Sequence, residues 1–239
     1  MGFDAVGMTM RELDSGELVS GLAVVRSPRR RRVAFTVRPE DGSPVILAPA
    51  RLSVAEIRRI VERNGELLEK LRARFLEYDA RRTVPRFCEG EEFHYLGQLY
   101  PLRFSRRILA FDAAFVVPAG EAETVRRDLE TLYRRLAAEL LPGKVAAFAG
   151  RFGLTCSRVR IGGAERRWGS CSRSGSINFS WRLVRWPEPV VDYVVIHELA
   201  HRIELNHSER FWREVGRMCP DYRGHDRFLR DRIPEYCPW

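Results

Sequence analysis

The chain has 239 residues, 45% of them hydrophobic, and a formal net charge of +9. This length accommodates one large domain or two small ones, and the apolar fraction excludes a disordered chain. No apolar run approaches the ~18 residues of a membrane span, so we expect no transmembrane helix. The five cysteines are scattered without a Cys-x-x-Cys pair, and the N-terminus lacks a signal-peptide pattern. A reducing, cytoplasmic location is therefore expected.

Arginine supplies nearly all of the positive charge, since Lys70 and Lys144 are the only lysines. Codon usage can produce such a bias, so the charge indicates a solvated basic surface more readily than a nucleic-acid-binding patch. The densest cluster, at residues 29–32, could contact phosphates or border a hairpin. The sequence leaves this cluster unassigned.

The chain opens on residues 1–18, which combine charge and glycine without periodicity and are predicted to form a loose leader. The residues that follow contain β-branched runs, and the turn signal Asp41-Gly42 separates two of them. We therefore predict short strands, joined in a hairpin, at residues 24–25, 33–37 and 45–48.

A helix is predicted after these strands. Ser53 and Glu56 are three residues apart, which is the spacing of a capping box at a helix N-terminus. Apolar residues follow at helical spacing, so one continuous helix should run to about Tyr78 with its apolar stripe against the hairpin.

Strand-like patterns return after a break at residues 85–90. Two strands are expected on either side of Gly97-Gln98 and a third one further along, at residues 93–96, 99–104 and 114–117. With the earlier strands and the covering helix, they make residues 19–118 a predicted N-terminal β-rich subdomain.

The second half of the chain orders its elements differently. A helix is predicted over residues 121–148, interrupted at Pro142-Gly143 because proline removes a backbone donor and clashes with the preceding turn. Two strands, at residues 158–161 and 176–181, precede the last helices. Because strands cluster ahead of helices, we predict an α+β fold, with residues 119–239 as the second domain.

The segment His197-Glu198-Leu199-Ala200-His201 carries the clearest chemical signal. Two histidines four residues apart lie on one face of a helix, about one turn apart, which suits two ligands of a zinc ion. Glu198 follows the first ligand, where its carboxylate can reach a metal-bound water and act as general base. The surrounding residues are apolar nearly all round the helix, which predicts a buried central helix whose polar groups need partners.

A third protein ligand is expected for a catalytic zinc ion, and His207 is the leading candidate. An unbroken helix would carry His207 about 15 Å along its axis from His197, so the chain must turn between them. Asn206 readily adopts a left-handed conformation, and we expect it to turn the chain at this point.

Two other residues compete for the third position. Glu204 stands where the metzincin pattern has a glycine, which argues against metzincin membership, and its carboxylate is a weaker rival ligand. Cys171 is a stronger rival because thiolates bind zinc well, and one upstream cysteine completes the ligand set of peptide deformylases. His94 and His225 are expected to be surface or core histidines, with His225 retaining a role toward substrate as an alternative.

The motifs resemble those of the YgjP-like metallopeptidase-domain proteins, which are related to the SprT-like and WLM-type zinc proteases. The resemblance is strong over about residues 165–223 and looser back to about residue 30. It rests on Arg167-Trp168-Gly169-Ser170-Cys171-Ser172, Ile177-Asn178-Phe179-Ser180-Trp181-Arg182-Leu183, His197-Glu198-Leu199-Ala200-His201, Asn206-His207-Ser208, Phe211-Trp212 and Cys219-Pro220-Asp221-Tyr222. It implies zinc ligation by the residues matching His197, His201 and His207, and catalysis by the one matching Glu198.

By this resemblance the second domain should be zincin-like, with a central helix that carries the motif. A hairpin around Trp168 and Asn178 is expected beside that helix, with an edge able to pair with an extended peptide. Taken one by one, Trp168, Trp181 and Trp212 are expected to be core aromatic residues.

The predicted function is zinc-dependent hydrolysis of a polypeptide, with Glu198 taking a proton from the attacking water. The oxyanion partner stays open among Tyr193, Tyr222, His225 and Arg167. Two alternatives remain at this stage. One is a nucleic-acid-associated protease that acts on DNA-bound proteins, and the other is a non-catalytic zinc module, which would have four protein ligands.

Overall fold

The computed structural model describes residues 14–37, 44–81, 84–165 and 167–237. These residues form a mixture of helices and sheets, which confirms the predicted α+β class. The chain divides into two compact units, Met1–Arg82 and Thr83–Trp239. The predicted boundary between residues 118 and 119 falls inside the second unit, which includes the strands between residues 92 and 118.

The first unit contains a four-stranded sheet. Its strand order is β1-β2-β4-β3, with β2 and β4 parallel and the other neighbours antiparallel. The strands are β1 Asp14–Val19, β2 Leu22–Ser27, β3 Ala34–Val37 and β4 Pro44–Pro49. Residues 14–18 thus belong to a strand, so the predicted loose leader is wrong there, while residues 1–13 and the Asp41-Gly42 turn lie outside the described residues.

Two helices follow, where one was predicted: α1 Val54–Arg63 and α2 Gly65–Arg81. The capping box at Ser53 and Glu56 is present, since each side chain accepts a hydrogen bond from the other residue's backbone N–H. The break falls at Asn64, whose side-chain amide donates to the carbonyl of Ile60 at 2.7 Å. This local bond competes with continuation of the helix. Both helices pack on the sheet through residues that include Ile57 and Leu68, as predicted.

The second unit begins with another four-stranded sheet and a long helix. The sheet has the order β5-β6-β8-β7 and consists of β5 Glu92–Tyr95, β6 Gln98–Ser105, β7 Ala110–Phe111 and β8 Phe115–Pro118. Helix α3, Ala122–Phe152, continues through Pro142, so the predicted interruption is wrong. Pro142 and Gly143 lie on the exposed face, while Leu141 and Val145 are buried on either side of them. Burial of this stripe holds the helix together across the missing backbone donor.

The remaining elements complete the second unit. A three-stranded sheet has the order β10-β11-β9, with β10 antiparallel and β9 parallel to β11. The hairpin predicted around Trp168 and Asn178 is present as β10 and β11. The elements are β9 Arg158–Gly162, β10 Gly169–Cys171, β11 Ser176–Ser180, a 3-10 helix Trp181–Arg185, α4 Glu188–Ala200, α5 Glu209–Met218, α6 Tyr222–Asp231 and α7 Ile233–Tyr236.

The turn between β5 and β6 packs against the start of α4. Leu96 and Gly97 both have positive φ values, 48° and 81°, and their backbone N–H groups donate to the carbonyls of Val184 and Arg185. A Cβ atom at Gly97 would lie only 2.8 Å from Cα of Pro187, so this close approach requires glycine. Of the three predicted core tryptophans, Trp181 is fully buried and the other two are partly buried against the core.

Candidate metal centre and catalytic carboxylate

Helix α4 carries His197 and Glu198 near its C-terminus, and His201 is its C-cap. As predicted, the helix is buried nearly all round. Its buried residues are Val190, Val191, Tyr193, Val194, Val195, Ile196, Glu198, Leu199 and Ala200. Lys144 of α3 anchors its first turns, with Nζ 2.7 Å from a carboxylate oxygen of Glu188 and 2.6 Å from one of Asp192.

The chain turns immediately after α4 and returns toward it. The backbone N–H groups of Ile203 and Glu204 both donate to the carbonyl of Ala200. The Glu204 carboxylate accepts from the backbone N–H of Asn206 at 3.3 Å, and Asn206 does not have a positive φ. The predicted left-handed turn at Asn206 is therefore wrong, because hydrogen bonds within the segment make the turn without it.

Arg202 ties this turn to the three-stranded sheet. Its Nε donates to the carbonyl of Thr155 and its Nη1 to the carbonyl of Arg173, both at 3.0 Å. Thr155 precedes β9, and Arg173 lies between β10 and β11. The segment that follows α4 is thus fixed to one end of this sheet, where β9 begins beside the turn between β10 and β11.

The turn brings the three predicted ligands together. One ligand atom from each of His197, His201 and His207 lies within 4.8 Å of those of the other two. The Nε2 atoms of His197 and His207 are 3.1 Å apart. Nδ1 of His201 lies 3.1 Å from the carbonyl oxygen of Glu204, which can only accept, so Nδ1 carries the proton and the Nε2 lone pair is available.

The surroundings favour neutral imidazoles. Burial, and to a smaller extent the nearby His201 and His207, lower the pKa of His197 to about 3. Burial also lowers the pKa of His201. Two aromatic residues of α5 pack on the cluster: the Phe211 ring lies 4.5 Å from that of His201, and Trp212 stacks on His207 at 5.7 Å. A neutral imidazole with a free lone pair is the form that binds a metal ion.

Glu198 points away from solvent beside this cluster. Only 5% of the residue is exposed, and within the described part of the chain its Oε2 atom has no hydrogen-bond partner. Burial raises the pKa of Glu198 to about 8, against an opposing effect of the Arg167 charge. The other side of the carboxylate lies against β10, where Gly169 offers only a backbone surface. A buried carboxylate oxygen without a partner is costly unless the site supplies one.

Neither rival ligand joins the histidine cluster among the described residues. The Glu204 carboxylate bonds within its own turn. The Cys171 thiol lies 3.5 Å from the Ser172 carbonyl, and its pKa is raised by burial first and then by the Glu198 charge. A raised pKa disfavours the thiolate that zinc prefers.

Three other residues considered from the sequence are Tyr193, His225 and His94. Tyr193 is buried one turn before His197, with its hydroxyl 3.5 Å from the Asp226 carboxylate, and burial raises its pKa. His225 stacks on Tyr193 at 6.1 Å. His94 is not part of the histidine cluster. Its ring packs on that of Tyr236, with the ring centroids 4.3 Å apart.

Sequence reasoning missed two neighbours of the site. Asp226 carries no distinguishing pattern, because it is a lone acid on α6. Gly169 does carry a signal, since a glycine inside a strand indicates a close approach of another group to the backbone.

Comparison with known protein families assigns the chain to one of them. The model of the YgjP-like metallopeptidase domain matches residues 31–232. The chain belongs to this family. As a YgjP-like metallopeptidase it is expected to use a metal ion and to act on a polypeptide, in agreement with the metallohydrolase predicted from the sequence.

Two further comparisons add little. A similar solved structure, the metallopeptidase zymogen of Pyrococcus abyssi abylysin, is 26% identical, with 38% of this chain and 93% of that chain covered. Its TM-score of 0.35 is too low to support conclusions about the YgjP-like chain. No curated protein matches the chain.

Among the described residues, no helix has the length and apolarity to cross a membrane.

Proposed function

We propose that this protein is a zinc-dependent peptidase in which His197, His201 and His207 bind the metal ion and Glu198 is the general base. The observation that carries the proposal is the convergence of three imidazole nitrogens beside a buried carboxylate. All four residues lie in the predicted second domain, residues 119–239. The cytoplasmic location stays a prediction.

The three histidines fit zinc in type, number and spacing. Two nitrogens, each about 2.05 Å from a tetrahedral zinc ion, are about 3.3 Å apart. The 3.1 Å between Nε2 of His197 and Nε2 of His207 is close to this separation. Three protein ligands leave a fourth position open, which is the pattern of catalytic and not of structural zinc sites. This favours an enzyme over the non-catalytic zinc module.

Bound zinc would polarise a substrate carbonyl and lower the pKa of a water molecule at the site. Glu198 would take the proton from that water as it attacks, and would later donate it to the leaving amine. Its Oε2 atom has no hydrogen-bond partner among the described residues and is available for this transfer, while Gly169 presents only backbone to the carboxylate.

The substrate would bind as an extended chain beside the helix. Strand β10 is at the edge of its sheet, where only β11 pairs with it among the described strands. An extended polypeptide can add to such an edge through main-chain hydrogen bonds. With the motif helix α4 against this edge strand, the arrangement supports the zincin-like fold predicted from the resemblance.

Glu198→Gln is the direct test of the proposed mechanism. The substitution keeps the size of the side chain but removes its ability to accept a proton. We expect the zinc content to be unchanged and hydrolysis of an unfolded polypeptide, such as labelled and denatured casein, to fall by at least about 10²-fold. Glu209→Gln is the matched control, because Glu209 is an exposed acid in the first turn of α5.

Two results would contradict this proposal. If Glu198→Gln retained peptidase activity that is abolished by chelation, Glu198 would not be the base. If Glu198→Gln lost its zinc while Glu209→Gln kept it, Glu198 would be a ligand or a structural residue.

A further inference from the structure

Glycine at position 169 leaves room for the proposed general base. A Cβ atom added to Gly169 would lie 2.6 Å from both Cγ and Oε1 of Glu198, and 2.8 Å from its Cδ. Cβ atoms essentially never approach other heavy atoms within 3.0 Å. The Glu198 side chain therefore packs directly on the backbone of β10, in space that any other residue at this position would fill.

Backbone freedom does not explain this glycine. Gly175, in the turn between β10 and β11, has a φ of 84°, which only glycine adopts readily, whereas Gly169 has no such positive φ. Gly169 is the first residue of β10 and is paired with Phe179 in a regular antiparallel ladder. Glycine destabilises a strand relative to alanine there, so the conformation alone favours a residue with a side chain. The close approach of Glu198 is what excludes one.

The carboxylate has little freedom to move aside. Glu198 is 5% exposed and lies on a helix whose neighbouring residues, including Leu199 and Ala200, are fully buried. Salt bridges from Lys144 anchor the start of this helix, and Arg202 ties the residues after it to the turn of the β10–β11 hairpin. An added methyl group must therefore displace either the strand or the carboxylate.

We propose that Gly169 is a positioning residue for the reaction, because its missing side chain lets the Glu198 carboxylate lie against β10 beside the three histidines. This inference rests on the proposed function only for its catalytic consequence. The steric coupling between positions 169 and 198 stands without it. Gly169 acts through the Glu198 side chain and takes no part in the chemical step itself.

The catalytic consequence is tested with Gly169→Ala in the full chain loaded with zinc. We expect kcat toward denatured casein to fall roughly 10-fold to 100-fold, with KM and zinc content unchanged, because the base is displaced while the ligands remain. Gly162→Ala is the matched control in the same sheet. A Cβ atom there would lie 3.0 Å and 3.1 Å from the amide atoms of Asn178, contacts that a small shift relieves.

The coupling itself is tested without activity, by a double-substitution cycle in the metal-free full chain. Gly169→Ala should lower the Tm when Glu198 is present and should leave it unchanged or raise it in a Glu198→Ala background, where the added methyl has room. The Glu198 carboxylate could also move aside in Gly169→Ala without lowering the Tm. In that case the fall in kcat alone supports the proposal.

Two results would overturn the proposal. One is an equal loss of Tm with and without the Glu198 side chain, which would mean that Gly169 acts through another neighbour. The other is a Gly169→Ala protein with unchanged kcat and unchanged Tm. If the Tm coupling is present but Glu198→Gln retains activity, the contact stands and the mechanism proposed for Glu198 fails instead.

Discussion

The proposed zinc site joins two regions that differ in how their conformation is determined. Helix α4 is buried on nearly all sides and holds His197 and Glu198. The segment from Arg202 to Ser208, which holds His207, is largely exposed. Apolar packing fixes the helix, while the segment depends on a few hydrogen bonds, such as that between Glu204 and Asn206. One side of the site is thus rigid by burial and the other by local polar contacts.

This difference bears on how the ligands act. His197 lies in the buried helix, so we expect packing of the helix to orient it. His207 is exposed, and its ring rests on Phe211 and Trp212. The third ligand should therefore contribute to zinc affinity without being needed for the fold of the helix.

The largest effect is expected from loss of the third ligand. His207→Ala should weaken zinc binding by more than about 10²-fold, because losing a ligand costs more than losing an outer-shell contact. The fold should persist, since His207 is outside the buried core. Competition with a chromogenic chelator measures the affinity, and circular dichroism checks the fold.

Cys171→Ala is the matched comparison for His207→Ala. The thiol is outside the histidine cluster of the described residues, so its removal should leave zinc affinity nearly unchanged. The opposite order of effects would assign the third position to the thiol of Cys171.

A smaller effect concerns the buried end of the site and depends on pH. Burial raises the pKa of Glu198 to about 8, from 4.5 in the unfolded chain. Between these values the folded state binds more protons than the unfolded state, so the contribution of Glu198 to stability is present below pH 4.5 and is lost as pH rises toward 8. In metal-free protein, Glu198→Gln should therefore gain stability relative to the wild type as pH rises through this window.

Urea unfolding of both proteins in chelator, at pH 5 and at pH 8, measures this difference. Other titrating groups are common to the two proteins and cancel in the comparison. A difference in unfolding free energy that stayed constant with pH would mean that the carboxylate is not kept from solvent in the folded chain.

The same contrast explains what the sequence could predict. A run of apolar residues predicts helix α4. Helical geometry then predicts that His197 and His201, four residues apart, lie on one face of it. The β10–β11 hairpin was also predicted in place. These features depend on patterns within one element, which a sequence displays directly.

The failed predictions depend on contacts or on competition between local bonds. The helix break at Asn64 depends on a side-chain bond to Ile60, and the continuity of α3 through Pro142 depends on burial of the residues around it. The contact between Gly169 and Glu198 joins residues far apart in the chain, so neither residue alone reveals it.

The metal content of the purified full chain tests the central claim most directly. Protein prepared without chelator should contain about one zinc ion per chain, because three converging imidazole nitrogens form the site. His197→Ala should lose most of that zinc, while His94→Ala, which changes a histidine outside the cluster, should keep it. A wild-type protein without any transition metal, or zinc retained in full by His197→Ala, would contradict the account.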